Sequence, residues 1–135
     1  MNLRVIKHFP EWLTRLTIGV LFIQSGWGKL HNLPKVIAYF ESLHIPLASI
    51  QAPFVSIVEL IAGSMVFLGL MTRWASIPLM AIMIVALITA KRSEITDLSS
   101  LIDTSEFLYL LLLMWLTAFS TQSFSIHDLV EQFKK

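Results

Sequence analysis

The 135-residue chain contains no cysteine. Disulfides, thiol redox relays, cysteine-ligated iron–sulfur clusters and thiolate nucleophiles are therefore excluded. Charge is also scarce. Asp, Glu, Lys and Arg make up 14% of the residues and hydrophobic residues 56%, whereas soluble domains carry about 25% charged residues. The net charge is +1 and there is no basic stripe, so nothing in the chain attracts nucleic acid. The four histidines, His8, His31, His44 and His127, all stand outside the apolar runs. That placement argues against a bis-histidine haem in a helical core. No two of them fall at i, i+3 or i, i+4, and no acid-rich loop suits calcium or zinc, so no metal site is expected. A glycine-rich phosphate loop and a serine nucleophile elbow are missing too. Met65, Met71, Met80, Met83 and Met114 fall in or beside apolar runs and read as packing rather than a copper relay.

The chain does have long apolar stretches. A bilayer core needs about 20 helical residues, and four segments approach that length: Trp12–Leu30, Phe54–Met71, Trp74–Ala90 and Phe107–Phe124. Each is apolar around most of its circumference, unlike a surface helix, and four of them leave too little chain to cover them. The expected fold class is all-α: an integral membrane four-helix bundle, a single domain over 1–135. The first run is interrupted by Arg15 and no small-x-small site follows it, so it reads as a retained span rather than a signal peptide. Thr72 and Arg73 join the second and third spans in a tight hairpin, and Pro53 suits the first turn of the second. Between the first two spans, Val36, Ile37, Phe40 and Leu43 keep helical spacing, as in a short amphipathic interfacial helix or an ordinary loop cap. Residues 91–105 are polar without a clear period. The tail from Ser125 places Ile126, Leu129, Val130 and Phe133 on one face, a second interfacial helix. Arg4, Lys7, Arg73, Lys134 and Lys135 share one side and Lys35, Lys91 and Arg92 the other, so both termini are expected to be cytoplasmic.

Three charges stand inside the expected spans: Arg15, Lys29 and Glu59. Such groups cost about 2.5–3.5 kcal/mol at a helix centre. At about 100° per residue, Arg15, Gly19, Phe22, Gly26 and Lys29 fall on one face, and its two glycines would let another helix approach closely. Arg15 is expected to snorkel and pair with Glu11 one turn earlier. Glu59 must be neutral, paired or wet. Lys29 can reach it, Gln24 lies at similar depth, and Gly63 keeps its face slim. Glu106, with Asp103, Lys91, Arg92, His31 and His44 nearby, would complete a polar mouth. One reading of this set is a ligand or proton pocket. The other is a Lys29–Glu59 pair that only fixes helix register.

The stretch "RLTIGVLFIQSGWGKL" resembles the first helix of the DoxX family, with its arginine, glycine and lysine. "VELIAGSMVFLGLMTRWAS" resembles the second helix and the turn that follows, in which a glutamate precedes small residues and a Gly-Leu-x-Thr-Arg turn. The resemblance runs from about Arg15 to Ala90, and it is the order and combination of motifs that is specific. It implies a small four-helix inner-membrane protein of bacteria or archaea, in a family whose founding members serve quinol oxidase and thiosulfate:quinone oxidoreductase systems. Arg15, Gly26, Lys29, Glu59, Gly63, Gly69, Thr72 and Arg73 occupy the motif positions. No catalytic role transfers to any of them.

Three functions are open at this point. The first is a subunit of a quinone-linked membrane redox system, its ligand held by Glu59, Lys29, Gln24, Arg15 and Glu106. With no covalent cofactor expected, quinone is the candidate cofactor and a soluble or membrane redox partner would supply electrons. The second is a non-catalytic scaffold, homo-oligomeric through its glycine-bearing faces, in which the Lys29–Glu59 pair is structural. Gly26, Gly63, Gly69, Thr72 and Arg73 are expected to be structural motif positions. The third is small-molecule transport. All three place the chain in a lipid bilayer.

Overall fold

Leu3 to His31 form one unbroken helix, α1, which passes through Pro10 and starts well before the expected span. The computed structural model describes residues 3–119. Five further helices follow among these residues: α2 (Leu33–Ser42), α3 (Ala48–Leu68), α4 (Thr72–Ile88), α5 (Leu98–Asp103) and α6 (Ser105–Phe119). The protein is all-α. The expected tail helix from Ser125 and the end of the fourth apolar run lie outside the described residues.

Helix α1 runs antiparallel to α3, and small residues set the spacing. A methyl group added at Gly26 would lie 2.6 Å from the Ser56 carbonyl oxygen and 2.7 Å from the Leu60 amide nitrogen. One at Gly19 would meet Phe67, and one at Gly63 would meet Phe22. Where backbone meets backbone in this way, only glycine fits. The face predicted from Arg15 to Lys29 is therefore the packing face. Its glycines are used up inside one chain and offer nothing to a second copy.

Helix α3 begins at Ala48, so Pro53 lies inside it rather than in its first turn. It closes in a Schellman motif. Gly69 takes φ 73°, its N–H donates to Val66 O at 3.2 Å, and the Leu70 N–H donates to Met65 O at 2.9 Å. The α3–α4 turn is thus Gly69–Met71, and Thr72 and Arg73, expected to form it, instead open α4. Ile18, Phe22, Val66, Leu79, Leu113 and Leu116 fill the centre from four helices. Buried Ser56 and Ser76 return their hydroxyls to the carbonyls of Ala52 and Thr72, both at 2.7 Å, so neither is stranded.

Helix α2 has the amphipathic face the spacing predicts. Val36, Ile37, Phe40 and Leu43 are half-buried, while Lys35, Ala38, Tyr39 and Glu41 are exposed. That face packs on α3. The polar stretch after α4 holds an unexpected helix, α5, started by a capping box. The Asp97 carboxylate accepts the Ser100 N–H at 2.9 Å, and the Ser100 hydroxyl accepts the Asp97 N–H at 3.0 Å. The Asp-x-x-Ser spacing was the available signal.

The outward faces of the apolar helices are themselves apolar. Ile57 and Ile61 on α3, Ile84 and Ile88 on α4, and Leu111 and Trp115 on α6 are all exposed. Continuous apolar surface on this scale is unusual for a water-soluble monomer. Among the described residues α3 alone is both long and apolar enough to cross a membrane. Arg15, Gln24 and Lys29 dilute α1, while α4, at 17 residues, and the described part of α6, at 15, fall short of the length.

Candidate ligand-binding cleft

The antiparallel register of α1 on α3 brings Lys29 opposite Glu59. Lys29 Nζ donates to Glu59 Oε1 at 2.7 Å. Because α3 starts at Ala48, Glu59 stands near its middle, roughly 16 Å along the axis. Its side chain is 1% exposed, while that of Lys29 is 30% exposed. Lys29 thus spans the distance from the buried acid to the surface. The second carboxylate oxygen, Oε2, is buried without a hydrogen-bond partner among the described residues.

Both residues line a cleft of about 560 Å³. It lies where the C-terminal end of α1, the N-terminal half of α3, the C-terminal half of α4 and the start of α6 converge, with α2 against its side. Its walls are mostly apolar: Phe22, Val55 and Val58 on one side, Ile82, Met83 and Ala86 on the other. Exposed Phe54, Tyr39 and Val85 mark its rim. The shape of the site, an apolar trough with a few converging polar groups, suits a small amphipathic molecule.

The expected site residues divide into two sets. Glu59, Lys29, Glu106 and Lys91 come together in the cleft wall. Gln24 does not. It is exposed, about 200° around α1 from Phe22 and Gly26. Arg92, Asp103, His31 and His44 are also exposed and outside the wall. Arg15 lies at the far end of α1, away from the cleft. It is 2% exposed, so it does not snorkel. Its guanidinium packs against Gly69, where any Cβ would collide with it, and Glu11, also buried, attracts it electrostatically. There a cation also complements the C-terminal end of the α3 dipole. Arg73, which like Arg15 follows a threonine, is exposed. Tyr39, Gln51, Thr89 and Tyr109 line the cleft without having been anticipated. Tyr109 was readable, since it stands three residues after Glu106 and so on the same face of α6.

Residues 12–92, which carry this α1–α3 interface and the turn into α4, match the DoxX family. The chain belongs to the DoxX family. It is 34% identical over 101 residues to the Bacillus subtilis (strain 168) protein named "Putative oxidoreductase CatD", covering 75% of this chain and 70% of that one. It is 35% identical over 78 residues to "Uncharacterized membrane protein Rv3486" of Mycobacterium tuberculosis (strain ATCC 25618 / H37Rv), covering 57% of this chain and 48% of that one. The match thus spans about half the length of the mycobacterial relative. No solved structure matches the chain significantly. This DoxX protein is a membrane protein. Its motif positions fall on two structures: Gly26, Lys29, Glu59 and Gly63 on the α1–α3 contact beside the cleft, and Arg15, Gly69, Thr72 and Arg73 at the opposite end.

Proposed function

We propose that this DoxX protein is the ligand-binding subunit of a membrane redox system and holds a quinone-type molecule in the cleft. The observation that carries the reading is the buried Glu59–Lys29 pair in the wall of an otherwise apolar trough. A quinone has the matching form, with a polar ring bearing oxygens at opposite ends and an apolar tail. Lys29 suits a ring oxygen, Glu59 suits a hydroxyl or a proton in transit, and the exposed apolar rim lets a tail pass into lipid. The oxidoreductase name of the Bacillus relative supports the redox class. Electrons would come from a partner protein or a soluble donor. In this reading the chain crosses the bacterial inner membrane several times, with both termini in the cytoplasm.

Decylubiquinone, titrated against protein in lipid nanodiscs and followed by tryptophan fluorescence, tests the reading. Saturable quenching whose midpoint is shifted by Glu59→Gln is the expected result, and identical curves for the two proteins count against it. The scaffold alternative draws on the same 2.7 Å contact, which pins α1 to α3 whether or not a ligand binds. It requires no quinone response at all.

A further inference from the structure

The quinone reading can be narrowed by counting donors and acceptors at the buried end of the cleft, and the inference below rests on that reading. Glu59 has committed Oε1 to Lys29. Its Oε2 is enclosed and accepts no hydrogen bond from the described residues. A salt-bridged carboxylate only accepts, and leaving such an oxygen buried without a donor is costly. Glu59 is a wall residue of the cleft, and the group its Oε2 lacks is a hydrogen-bond donor.

The two stable oxidation states of a quinone differ in this respect. The oxidised ring presents carbonyl oxygens, which only accept. The reduced ring presents hydroxyls, which donate and accept. A carbonyl placed against Oε2 sets lone pair against lone pair, whereas a hydroxyl there forms a charge-assisted bond, stronger than a neutral one. Lys29 does not discriminate, because an ammonium donates to a carbonyl or a hydroxyl oxygen alike. The hydroxyls of Tyr39 and Tyr109 and the amide of Gln51, also in the wall, can donate or accept and are neutral between the two forms. Glu106, at the α6 side, adds a second carboxylate; it takes a bond from the Ser105 hydroxyl at 3.2 Å. Lys91 is engaged with Glu94 at 3.5 Å. We propose that the cleft selects the reduced, hydroxyl-bearing form of its ligand, and that Glu59 Oε2 is the specificity-determining acceptor.

Binding calorimetry on the full chain in nanodiscs under anaerobic conditions tests this with three probes: decylubiquinol, decylubiquinone and the dimethyl ether of the quinol. The ether keeps the ring and tail but cannot donate. The quinol is expected to bind roughly tenfold tighter than the quinone, within the range of one charge-assisted hydrogen bond, and the ether no tighter than the quinone. Glu59→Gln should remove the difference. The ether comparison needs no substitution, so a variant that fails to fold leaves the test intact. Equal affinity for quinol and quinone overturns the selectivity while the quinone reading stands. An ether that binds as tightly as the quinol also overturns it. If none of the three binds, the quinone reading itself fails, and this inference with it.

Discussion

Lys29 and Glu59, thirty residues apart on antiparallel helices, meet at 2.7 Å with the acid buried and the base reaching the surface. Removing one partner leaves the other in an apolar surround. Lys29→Met should therefore destabilise the protein by about 3 kcal/mol, the cost of stranding a buried charge. The paired change Lys29→Met with Glu59→Leu should lose much less, because two matched apolar groups strand nothing. Reversible unfolding in mixed micelles measures both. A double variant worse than either single one contradicts this account.

Gly26 and Gly28 are two residues apart but face different surroundings. Gly26 is pressed against the α3 backbone, while nothing lies within 4 Å of a Cβ at Gly28. Gly26→Ala should cost about 1–3 kcal/mol by forcing the helices apart. Gly28→Ala should be neutral or should stabilise by up to about 1 kcal/mol through helix propensity. The same unfolding measurement compares them, and equal effects would mean that α1 packs in another register.

Gly69 meets two demands at once, a positive φ and room for the Arg15 guanidinium. Gly69→Ala should cost roughly 1–3 kcal/mol from the backbone alone, plus a clash. Adding Arg15→Ala should relieve the clash and leave the backbone cost. In a double-mutant cycle the two changes should therefore couple.

The α5 cap gives a pH dependence. The Ser100 backbone N–H, and then its hydroxyl, hold the Asp97 carboxyl below its ordinary range. A carboxylate pKa depressed by folding contributes its full stability above the unfolded value of about 3.9. That contribution is lost as pH falls through the folded value. The Ser100 amide proton shift should stay constant from neutral pH downward and titrate with a midpoint below the ordinary aspartate value. A midpoint at or above it would mean the cap does not hold in solution.

The absence of cysteine makes topology directly measurable. Exposed Arg73 and Ser93 flank α4 on opposite ends. Single-cysteine variants Arg73→Cys and Ser93→Cys in sealed right-side-out vesicles should differ. The reading above expects an impermeant maleimide to label only the second. Labelling of both would show that α4 does not span.

What could be read in advance was whatever depends on one helix at a time. The face from Arg15 to Lys29 follows from 3.6-residue periodicity, and so does the apolar side of α2. The tight α3–α4 hairpin was visible from its Gly-Leu-Met-Thr-Arg stretch, although its residues were placed three positions late, because a glycine in the left-handed region ends the helix before the apolar run does. Glu59 was conspicuous because an acid in an apolar run is costly anywhere. Gln24 was misjudged because depth along a helix says nothing about which side a residue faces.

The sequence by itself determined the helical class and which residues carry unusual charge, since these follow from composition and local periodicity, and the order of its motifs carried the DoxX resemblance. Only the tertiary structure decided that Glu59 answers Lys29 rather than Gln24, that Arg15 closes under Gly69 instead of reaching the surface, and that the glycine faces are consumed within one chain. Those outcomes depend on the sliding register and rotation of α1 against α3. That register is set where Gly26, Gly19 and Gly63 let two backbones touch, a fit between surfaces that neither helix encodes alone.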